Sequence, residues 1–448
     1  MSFPRYPAYK PSGVEWLGEV PEHWEVGQSR RRFALRNERA LDGEEQLTAS
    51  QKHGIIRQAD FVESEGRRVV EVIKGADILK HVEAGDFVIS MRSFQGGIEY
   101  SPHCGSISSA YVMLKPIKDV HQGFFRWLFK SDRYIQALQS TSNLVRDGQA
   151  LRFSNFAQVD IPVIPLAEQA SIATFLDRET AKIDALIAEQ QRLIELLQEK
   201  RQAVISHAVT KGLNPDAPMK DSGVEWLGEV PEHWVNQKVK HLCKHIEQGW
   251  SPQCENEASE GDAPGVLKVG CVNGGVFRPG ENKRLPPDLS PIPEYSIRKG
   301  DLLISRANTK ELVGSAAVVT EDCPWLFICD KLYRITVDPS FVSVSFFALY
   351  LGSSAVRSQV ELGASGASQS MQNISQSVLM GLPIALPDLD EQEAIQNTIA
   401  NECCSIDELV AEGSSGIQLL QERRSALISA AVTGQIDVRG LVPEASAA

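Results

Sequence analysis

The chain has 448 residues, 42% of them hydrophobic and 23% charged, which is usual for a globular protein and enough for two or three domains. No apolar run is long enough to span a bilayer, and the first residues lack the apolar core of a signal peptide. The eight cysteines form no CxxC pair, so we expect a cytoplasmic protein with reduced thiols rather than a disulfide or zinc framework. The formal net charge of −13 argues at first against a nucleic-acid partner.

Residues 1–165 contain short apolar runs that glycine, proline and aspartate interrupt, a pattern typical of strands joined by turns. Phe87–Met91 and Tyr111–Leu114 are the clearest predicted strands, and Phe124–Leu138 is a predicted helix. We therefore predict a first α+β domain over residues 1–165.

Residues 166–211 predict a long helix. No glycine or proline occurs from Leu166 to Val209, and apolar residues recur every seven positions, as in the seam of a coiled coil. Such a helix spans roughly 65 Å at 1.5 Å per residue. The predicted packing residues are Leu176, Ile183, Leu197 and Val204, with Gln190 as the polar exception and a second stripe at Leu186, Ile187, Leu193 and Ile194.

The same order of elements follows a proline-containing linker, residues 212–221. Residues 222–386 predict a second α+β domain, in which Leu302–Ser305 and Leu332–Val337 are strands and Phe346–Val360 is a helix. Residues 387–435 predict a second long helix, and residues 436–448 form a tail. The predicted packing residues of this helix are Ile399, Ile406, Leu420 and Leu427.

The two halves of the chain repeat each other. The string SGVEWLGEVPEHW occurs at Ser12–Trp24 and again, unchanged, at Ser222–Trp234. A Gly-Asp pair opens one strand in each half, at Gly85–Asp86 and Gly300–Asp301, and both long helices end on Ala-Val-Thr. Two copies are too few for a solenoid, so the duplication predicts a pseudo-two-fold molecule that suits a two-part target.

Each long helix has one apolar face that needs a partner, and the simplest partner is the other copy. We predict that the two helices pack antiparallel and hold the domains apart at opposite ends, although each helix could instead pack on a separate subunit. The sequence GSSG at Gly413–Gly416 interrupts the seam of the second helix. Because glycine in a helix interior costs about 1 kcal/mol relative to alanine, we expect a kink or a short break there.

The negative charge is unevenly distributed. Residues 387–435 have nine acidic and two basic residues, which is more than half of the excess, whereas residues 1–165 have 20 acidic and 21 basic residues. Clustered arginine and lysine can contact phosphates or guanine edges, and the alternative is an ordinary solvated charged face. Three basic clusters stand out: Arg30-Arg31-Arg32 with Arg36 and Arg39, Arg67-Arg68, and Lys238 with Lys240 and Lys244.

Catalytic motifs are missing from the sequence. It contains no GxxxxGK[ST] phosphate loop, no GxGxxG after a strand, no HExxH and no GxSxG. The string nearest to an amino-methyltransferase loop, Asp338–Phe341, lacks the second proline and is more simply a turn. His23 and His233 have no second ligand at metal spacing, so we favour a structural role for them and for the tryptophans of the repeated string.

Together these features resemble the specificity subunit of type I restriction–modification systems. The repeated opener, the Gly-Asp strand, a proline-bounded helix start near Glu-Gln (Glu168–Gln169 and Glu391–Gln392) and the LLQE[KR]R…AVT helix end occur in this order twice. The resemblance covers the chain from about residue 12 to residue 436. The glycine stretch of the second helix departs from the family's rigid spacer.

The resemblance implies an α+β fold with two target-recognition domains, each reading half of a bipartite DNA site, and an antiparallel coiled-coil spacer between them. It implies a non-catalytic subunit that assembles with two methyltransferase subunits, which use S-adenosylmethionine, and two restriction subunits, which use ATP and Mg²⁺. No cofactor is expected on this chain itself, and no membrane partner. The alternatives are a self-contained methyltransferase and nuclease, or a purely structural interaction protein.

The family's base-reading residues lie in variable loops, so the candidates for DNA binding rest on side-chain chemistry. Arg92 and Arg306 have the most weight because each follows a Gly-Asp strand. Asn308 could pair with adenine through two hydrogen bonds, or it could be an ordinary turn residue. The full set of candidates is Arg30, Arg31, Arg67, Arg68 and Arg92 in the first domain, and Lys283, Arg284, Arg306, Asn308 and Lys310 in the second.

Overall fold

The fold is taken from a computed structural model, which describes residues 3–66, 78–142, 150–368 and 371–441. The chain divides into two units. Residues 1–191 together with residues 415–448 form the first unit, and residues 192–414 form the second. Each long helix therefore contributes one half to each unit.

The first unit combines short strands with short helices. Its largest sheet has four antiparallel strands in the order Phe33–Arg36, Val112–Pro116, Phe87–Ile89 and Glu99–Tyr100. The other strands are Tyr9–Pro11, Glu19–Pro21, Glu25–Gln28, Leu47–Ser50, Gly54–Arg57, Lys80–Val82, Gly105–Ile107 and Asp160–Val163. The helices are Ser29–Arg31 (3-10), Gln58–Glu65, Ser93–Gly96, Gln122–Leu128, Asp132–Ser140, Phe153–Phe156 and the first half of Leu166–Lys211.

An aromatic cluster joins this sheet to helix Gln122–Leu128. Phe33 and Phe87 from the sheet meet Phe125 and Phe129 with ring centroids between 5.1 and 5.7 Å apart, mostly edge to face. All four side chains are fully buried, and such aromatic pairs stabilise a core beyond the area that they bury. The loops that leave the sheet are therefore held on a rigid support.

The second unit has the same central arrangement. Its four antiparallel strands follow the order Cys243–Gln248, Leu332–Val337, Leu302–Ser305 and Ala316–Val318. The other strands are Met219–Asp221, Glu229–Pro231, Val235–Lys238, Gly265–Leu267, Asn282–Arg284, Ala307–Asn308, Leu326–Phe327, Ser365–Ser368, Met371–Asn373 and Pro383–Leu386. The helices are Val239–His241, Val269–Gly275 and Pro293–Tyr295 (all 3-10), Val344–Gly352, Ser354–Gly363, Gln376–Gly381 and the first half of Leu389–Val432. The mixture of helix and strand in both units confirms the predicted α+β class.

A serine divides each of the two predicted helices that follow the central sheet. Phe124–Leu138 is two helices, because Ser131 has an extended backbone with φ −73° and ψ 140°. Its hydroxyl donates to the Leu128 carbonyl at 2.7 Å, and Ser353 donates in the same way to Tyr350 in the second unit. Serine offers the backbone this alternative partner, which apolar spacing does not reveal.

The two long helices run antiparallel within the first unit. Leu176 and Ile183 of the first helix share a buried cluster with Leu427 of the second. Asp184 forms an ion pair with Arg424, with Nε and Oδ1 2.8 Å apart. Early residues of one helix thus face late residues of the other.

The second unit repeats this packing with the roles of the helices exchanged. Arg201 of the first helix lies 3.4 Å from Asp407 of the second, and Ile399 shares a buried cluster with Ile205. The sequence repeat relates the two ion pairs, because Asp407 is the copy of Asp184 and Arg201 corresponds to Arg424 in the first unit.

The residues of the predicted seam are buried or half-buried, whereas part of the predicted second stripe is exposed. Buried seam residues are Leu176, Ile183, Ile399, Ile406 and Leu427, and half-buried ones are Leu197, Val204 and Leu420. Of the second stripe, Ile187 and Ile194 are half-buried, but Leu186 and Leu193 are exposed. Two helices need only one stripe each to form their seam, so the outer leucines remain on the surface.

The expected break at Gly413–Gly416 is wrong. The second long helix runs without interruption over 44 residues, Leu389–Val432, and Gly413 is buried in it. A cost of about 1 kcal/mol per glycine is small beside the packing of so long an amphipathic helix.

Gly416→Ala is expected to raise the free energy of unfolding by about 1 kcal/mol, because alanine favours the helix and a Cβ there meets no heavy atom within 4 Å. Urea unfolding followed by circular dichroism measures the change. The control is Gly434→Ala, where φ is +76° and a Cβ would lie 2.4 Å from Pro21 Cδ, so this variant should lose stability. A Gly416→Ala protein no more stable than the parent would contradict the expectation.

The end of the chain completes the first unit. The Asp437 backbone N–H donates to the Pro4 carbonyl at 2.9 Å, and the Arg439 guanidinium lies 4.8 Å from the centre of the Tyr6 ring. Gly434, which follows the second long helix, packs closely against Trp24 of the repeated opener. The segments around Tyr6 and Asp437 are therefore parts of the same unit.

Candidate nucleic-acid interface

The repeated opener attaches the first globular domain to its long helix. Glu168, in the first turn of the helix, is buried and accepts hydrogen bonds from Trp24 Nε1 at 3.0 Å and from the Tyr6 hydroxyl at 2.6 Å. His23 Nε2 lies 2.8 Å from its other oxygen. Burial and the neighbouring Glu168 carboxylate raise the pKa of Tyr6 far above its usual value, so its hydroxyl stays a donor.

The second opener makes the same attachment. Glu391 accepts from Trp234 Nε1 at 3.1 Å, and His233 Nε2 lies 2.8 Å from the same carboxylate oxygen. His23, Trp24, His233 and Trp234 therefore have a structural role, which is to fix each domain to the start of a helix.

The glutamine that follows each of these glutamates extends the attachment. Gln169 and Gln392 are almost fully buried, and each accepts a backbone N–H at 2.8 Å, from His121 and Ser343 respectively. Each side-chain amide also donates to a carbonyl of the loop that precedes the helix. The Glu-Gln pair at the start of each long helix thus forms hydrogen bonds with several segments of its domain. Small shifts of the domain would break several of these bonds.

The Gly-Asp motif forms a turn. Gly85 and Gly300 have φ of +100° and +91°, which favours glycine. Asp86 and Asp301 each accept the backbone N–H of the residue three positions earlier, at 3.0 and 2.9 Å. These contacts place the start of the strand that leads to Arg92 in the first unit and to Arg306 in the second.

Arg36 is not part of an exposed basic cluster. Its side chain is 3% exposed, and its Nε donates to the 2% exposed Asp86 carboxylate at 2.6 Å. Burial acts against the charge, but hydrogen bonds from Arg36 to Asp86 and Glu38 outweigh it and raise the pKa of Arg36. In the second unit Arg334 supplies the matching ion pair to Asp301, at 3.2 Å.

Three of the five arginine candidates in the first unit lie on its surface. Arg30 and Arg31 are exposed in the short helix Ser29–Arg31, and Arg92 is exposed at the start of helix Ser93–Gly96. The structure thus places them on two separate elements of the unit. The remaining candidates, Arg67 and Arg68, lie outside the described residues.

The second unit brings Arg306 and Asn308 together beside the short strand Ala307–Asn308. Arg306 is half-buried and its Nη1 donates to the Asp330 carbonyl at 3.2 Å. Asn308 Nδ2 donates to Asn273 Oδ1 at 3.1 Å, and its own Oδ1 accepts the next backbone N–H. Asn308 therefore acts as a turn residue here, and pairing with adenine would require its contact with Asn273 to break. Lys310 is exposed two residues further along.

Lys283 and Arg284 lie on a different sheet of the same unit. Lys283 Nζ is 3.5 Å from Asn256 Oδ1, and Arg284 Nη1 is 4.0 Å from Glu255 Oε2. Arg284 Nε is buried and has no hydrogen-bond partner among the described residues. A donor left unpaired in this way is costly, so Arg284 is the candidate that would gain most from an added acceptor.

A polar hairpin beside Asn308 escaped the sequence prediction. Its strands are Ser365–Ser368 and Met371–Asn373, and the second pairs with Ala307–Asn308. At Gly366 a Cβ would lie 2.2 Å from the Met371 carbonyl oxygen, so the close approach of the strands requires glycine. Serine and glycine are typical of loops, and this composition concealed the strands.

The cysteines and the acidic residues offer no sign of metal chemistry in the described part of the chain. Over residues 3–66, 78–142, 150–368 and 371–441, no group of three or more His, Cys, Asp or Glu side chains is placed to hold an ion. Burial raises the pKa of the Cys243 and Cys329 thiols to about 11. Within the same ranges, no helix is both long and apolar enough to cross a membrane.

Sequence comparison links the chain to proteins of known role, although no protein-family profile matches it. It is 30% identical over 241 residues to the type I restriction enzyme EcoEI specificity subunit of Escherichia coli, across 54% of this chain and 40% of that protein. It is 24% identical over 368 residues to the EcoKI specificity subunit of Escherichia coli K12, across 78% of this chain and 75% of that protein. The chain is thus similar in sequence to the specificity subunits of type I restriction enzymes.

A solved structure agrees with the fold of this chain. A chain from a study of complex assembly and conformational transition of the type I R-M system matches it with a TM-score of 0.69 at 16% identity. The match covers 93% of this chain and 99% of the matched chain. The two chains thus share a fold.

Proposed function

We propose that this chain is a specificity subunit that recognises a bipartite DNA site, with one half-site read by each globular domain, and that it catalyses no reaction itself. The duplication carries the proposal. Each unit has a four-stranded sheet, a Gly-Asp turn that leads into a loop with an arginine, and a domain fixed to the helices through a Glu-Gln pair. Two copies of one scaffold suit two readings of the same kind of target.

The loops after the two Gly-Asp strands support two different half-sites. In the first unit the loop continues into helix Ser93–Gly96, with Arg92 exposed at its start. In the second unit it continues into strand Ala307–Asn308, which the polar hairpin extends. Arginine donates to guanine, whereas the amide of asparagine or glutamine both donates to and accepts from adenine, so surfaces of such different shape would read different bases.

The two long helices would act as the spacer of the bipartite site. They have 46 and 44 residues, which is roughly 65–70 Å at 1.5 Å per residue. Equivalent faces of DNA recur about every 35 Å, so such a spacer could hold readers one to two turns apart. The ion pairs of Asp184 with Arg424 and of Asp407 with Arg201 support a fixed antiparallel register.

Exposed leucines on the helices support two equivalent docking surfaces for a partner. In the first unit Leu186 is 47% and Leu419 is 63% exposed, and in the second Leu409 is 50% and Leu196 is 45% exposed. The sequence repeat relates Leu186 to Leu409 and Leu196 to Leu419. Related apolar surfaces suit two copies of one protein, which we propose to be the methyltransferase subunit. The methyltransferase subunits would bind S-adenosylmethionine, and two restriction subunits would bind ATP and Mg²⁺. We propose that this assembly acts in the cytoplasm.

Arg306→Ala is expected to impair recognition of one half-site and leave the other unchanged. Loss of a good contact to a base costs about 1–3 kcal/mol, so affinity for the intact site should fall about tenfold to a hundredfold. Methylated adenines mapped in cells that carry the system first define the target. Binding of the purified assembly to duplexes with either half-site scrambled then measures the effect.

Arg298→Ala is the matched control, because Arg298 is exposed before the same strand that Arg306 follows. It should change neither half-site. Equal loss of both half-sites in a folded Arg306→Ala protein would contradict two independent readers. Methylation by the isolated chain would favour a self-contained enzyme, and an assembly that protects no bipartite site would favour a purely structural role.

A further inference from the structure

Trp127 connects the first globular domain to the first long helix. It lies in helix Gln122–Leu128, and its Nε1 donates to Asp177 Oδ1 at 2.7 Å. The neighbouring Arg126 donates to the same oxygen from Nη2 at 2.6 Å. A single carboxylate of the helix thus receives two donors from consecutive residues of the domain.

Trp127 also contacts the second long helix. The Arg424 guanidinium lies 5.6 Å from the centre of its ring, and Arg126 lies 5.4 Å from it. Arg424 is itself held by Asp184 of the first helix, through contacts of 2.8 and 3.3 Å. One side chain of the domain therefore touches both helices at a point where they are already joined to each other.

The described part of the second unit has no counterpart of this contact. At the positions that match Arg126, Trp127 and Asp177, the sequence repeat has Ala348, Leu349 and Ala400. The domain there contacts the first helix through the Ser206 and Ser354 hydroxyls, which are 2.9 Å apart, and through Lys211 Nζ, which donates to the Leu227 carbonyl at 3.0 Å. We call the contacts of Arg126 and Trp127 with Asp177 and Arg424 the tryptophan clamp. A unit of this fold therefore forms without such a clamp.

The clamp is too exposed to be a major source of stability. Arg126 and Asp177 are 44% and 48% exposed, and surface ion pairs stabilise proteins only slightly. Its position, away from the buried attachment at Glu168 and Gln169, gives the domain a second fixed point on the helices. A second fixed point restricts tilting further than the attachment at Glu168 and Gln169 does alone.

We infer that Trp127 is a positioning residue that fixes the tilt of the first reading domain and so restricts the spacer lengths that the protein accepts. The inference rests on the proposed function. A tilt on the order of 10° moves a surface about 20 Å away by about 3.4 Å, which is the rise of one base pair. Loss of the clamp would let the first domain reach a half-site that is one base pair nearer or farther.

The test compares binding of the assembled complex to duplexes with the native spacer and with spacers one base pair shorter and longer. Trp127→Leu and Asp177→Ala copy the residues of the second unit and are expected to fold. Each should reduce the preference for the native spacer by about tenfold, with the base preference at both half-sites unchanged. Trp127→Phe keeps a ring beside Arg424 but loses the N–H, so it should lie between Trp127→Leu and the parent.

Glu189→Ala, which removes an exposed carboxylate from the same helix, is the control and should leave the spacer preference unchanged. An unaltered preference in Trp127→Leu would overturn the inference. So would an equal weakening on all three duplexes, because that would show a role in stability only. If the parent complex fails to prefer any bipartite duplex, the proposed function itself fails, which is a separate outcome.

Discussion

Inserting one heptad into each long helix is expected to lower the affinity for the native bipartite target by about 10²- to 10⁴-fold, which is the usual gain from engaging two linked sites. The insertions belong between Gln191 and Arg192 and between Ser414 and Ser415, where the two units divide. Seven residues lengthen a helix by about 10 Å, or about three base pairs, which also turns the groove by roughly a third of a turn. One reader would then miss its half-site.

Binding to a duplex that has only one half-site is the internal standard, because neither reader is altered and the affinity should match that of the parent. A heptad in one helix alone is the second control. It would misalign Asp184 with Arg424 or Asp407 with Arg201, so we expect a lower melting temperature. A doubly extended protein that binds the native target as tightly as the parent would contradict the spacer role.

Arg36→Met is expected to destabilise the first unit by about 3–5 kcal/mol, because it leaves the buried Asp86 carboxylate without its cation. Hydrogen exchange of strand Phe87–Ile89 measures the local loss, and urea unfolding the total. The matched control is Arg32→Met in the same basic segment. Its partner Asp119 is 54% exposed, so that change should cost less than about 1 kcal/mol.

Asp86→Asn introduced together with Arg36→Met should recover at least half of the loss. A neutral amide oxygen can still accept the Glu83 backbone N–H, which Asp86 now holds at 3.0 Å. Equal losses of stability from Arg36→Met and Arg32→Met would show that burial does not strengthen the Arg36–Asp86 ion pair. The pairing would then be an ordinary surface contact.

The parts of the fold that occur twice in the sequence, or in which apolar residues recur at regular intervals, were predictable. Strands Leu302–Ser305 and Leu332–Val337 have the predicted bounds. The apolar run of the first is buried on both faces, and the second alternates between buried and more exposed residues toward its end. The first long helix spans the predicted residues because neither glycine nor proline interrupts it. The break at Ser131 was missed because a single hydroxyl bond to the backbone decides it.

The candidate site was less predictable than the fold. Arg36 and Arg92 are the same residue type, but Arg36 is paired inside the unit and Arg92 is exposed. The difference depends on Asp86, fifty residues from Arg36, which strand pairing brings near. The polar hairpin that flanks Asn308 has no apolar pattern, so only its pairing with strand Ala307–Asn308 reveals it.

The division of the chain into units also determines the order in which they can be finished during synthesis. The second unit is continuous from Arg192 to Ser414, whereas the first needs both its opening segment and residues from Ser415 onward. At roughly 5–20 residues per second, the ribosome makes the intervening stretch in on the order of ten to forty seconds. The unit that emerges first is therefore completed last. A nonsense mutation shortly after Ser414 would remove Leu427 and Ile428 from the core of the first unit and leave the second intact.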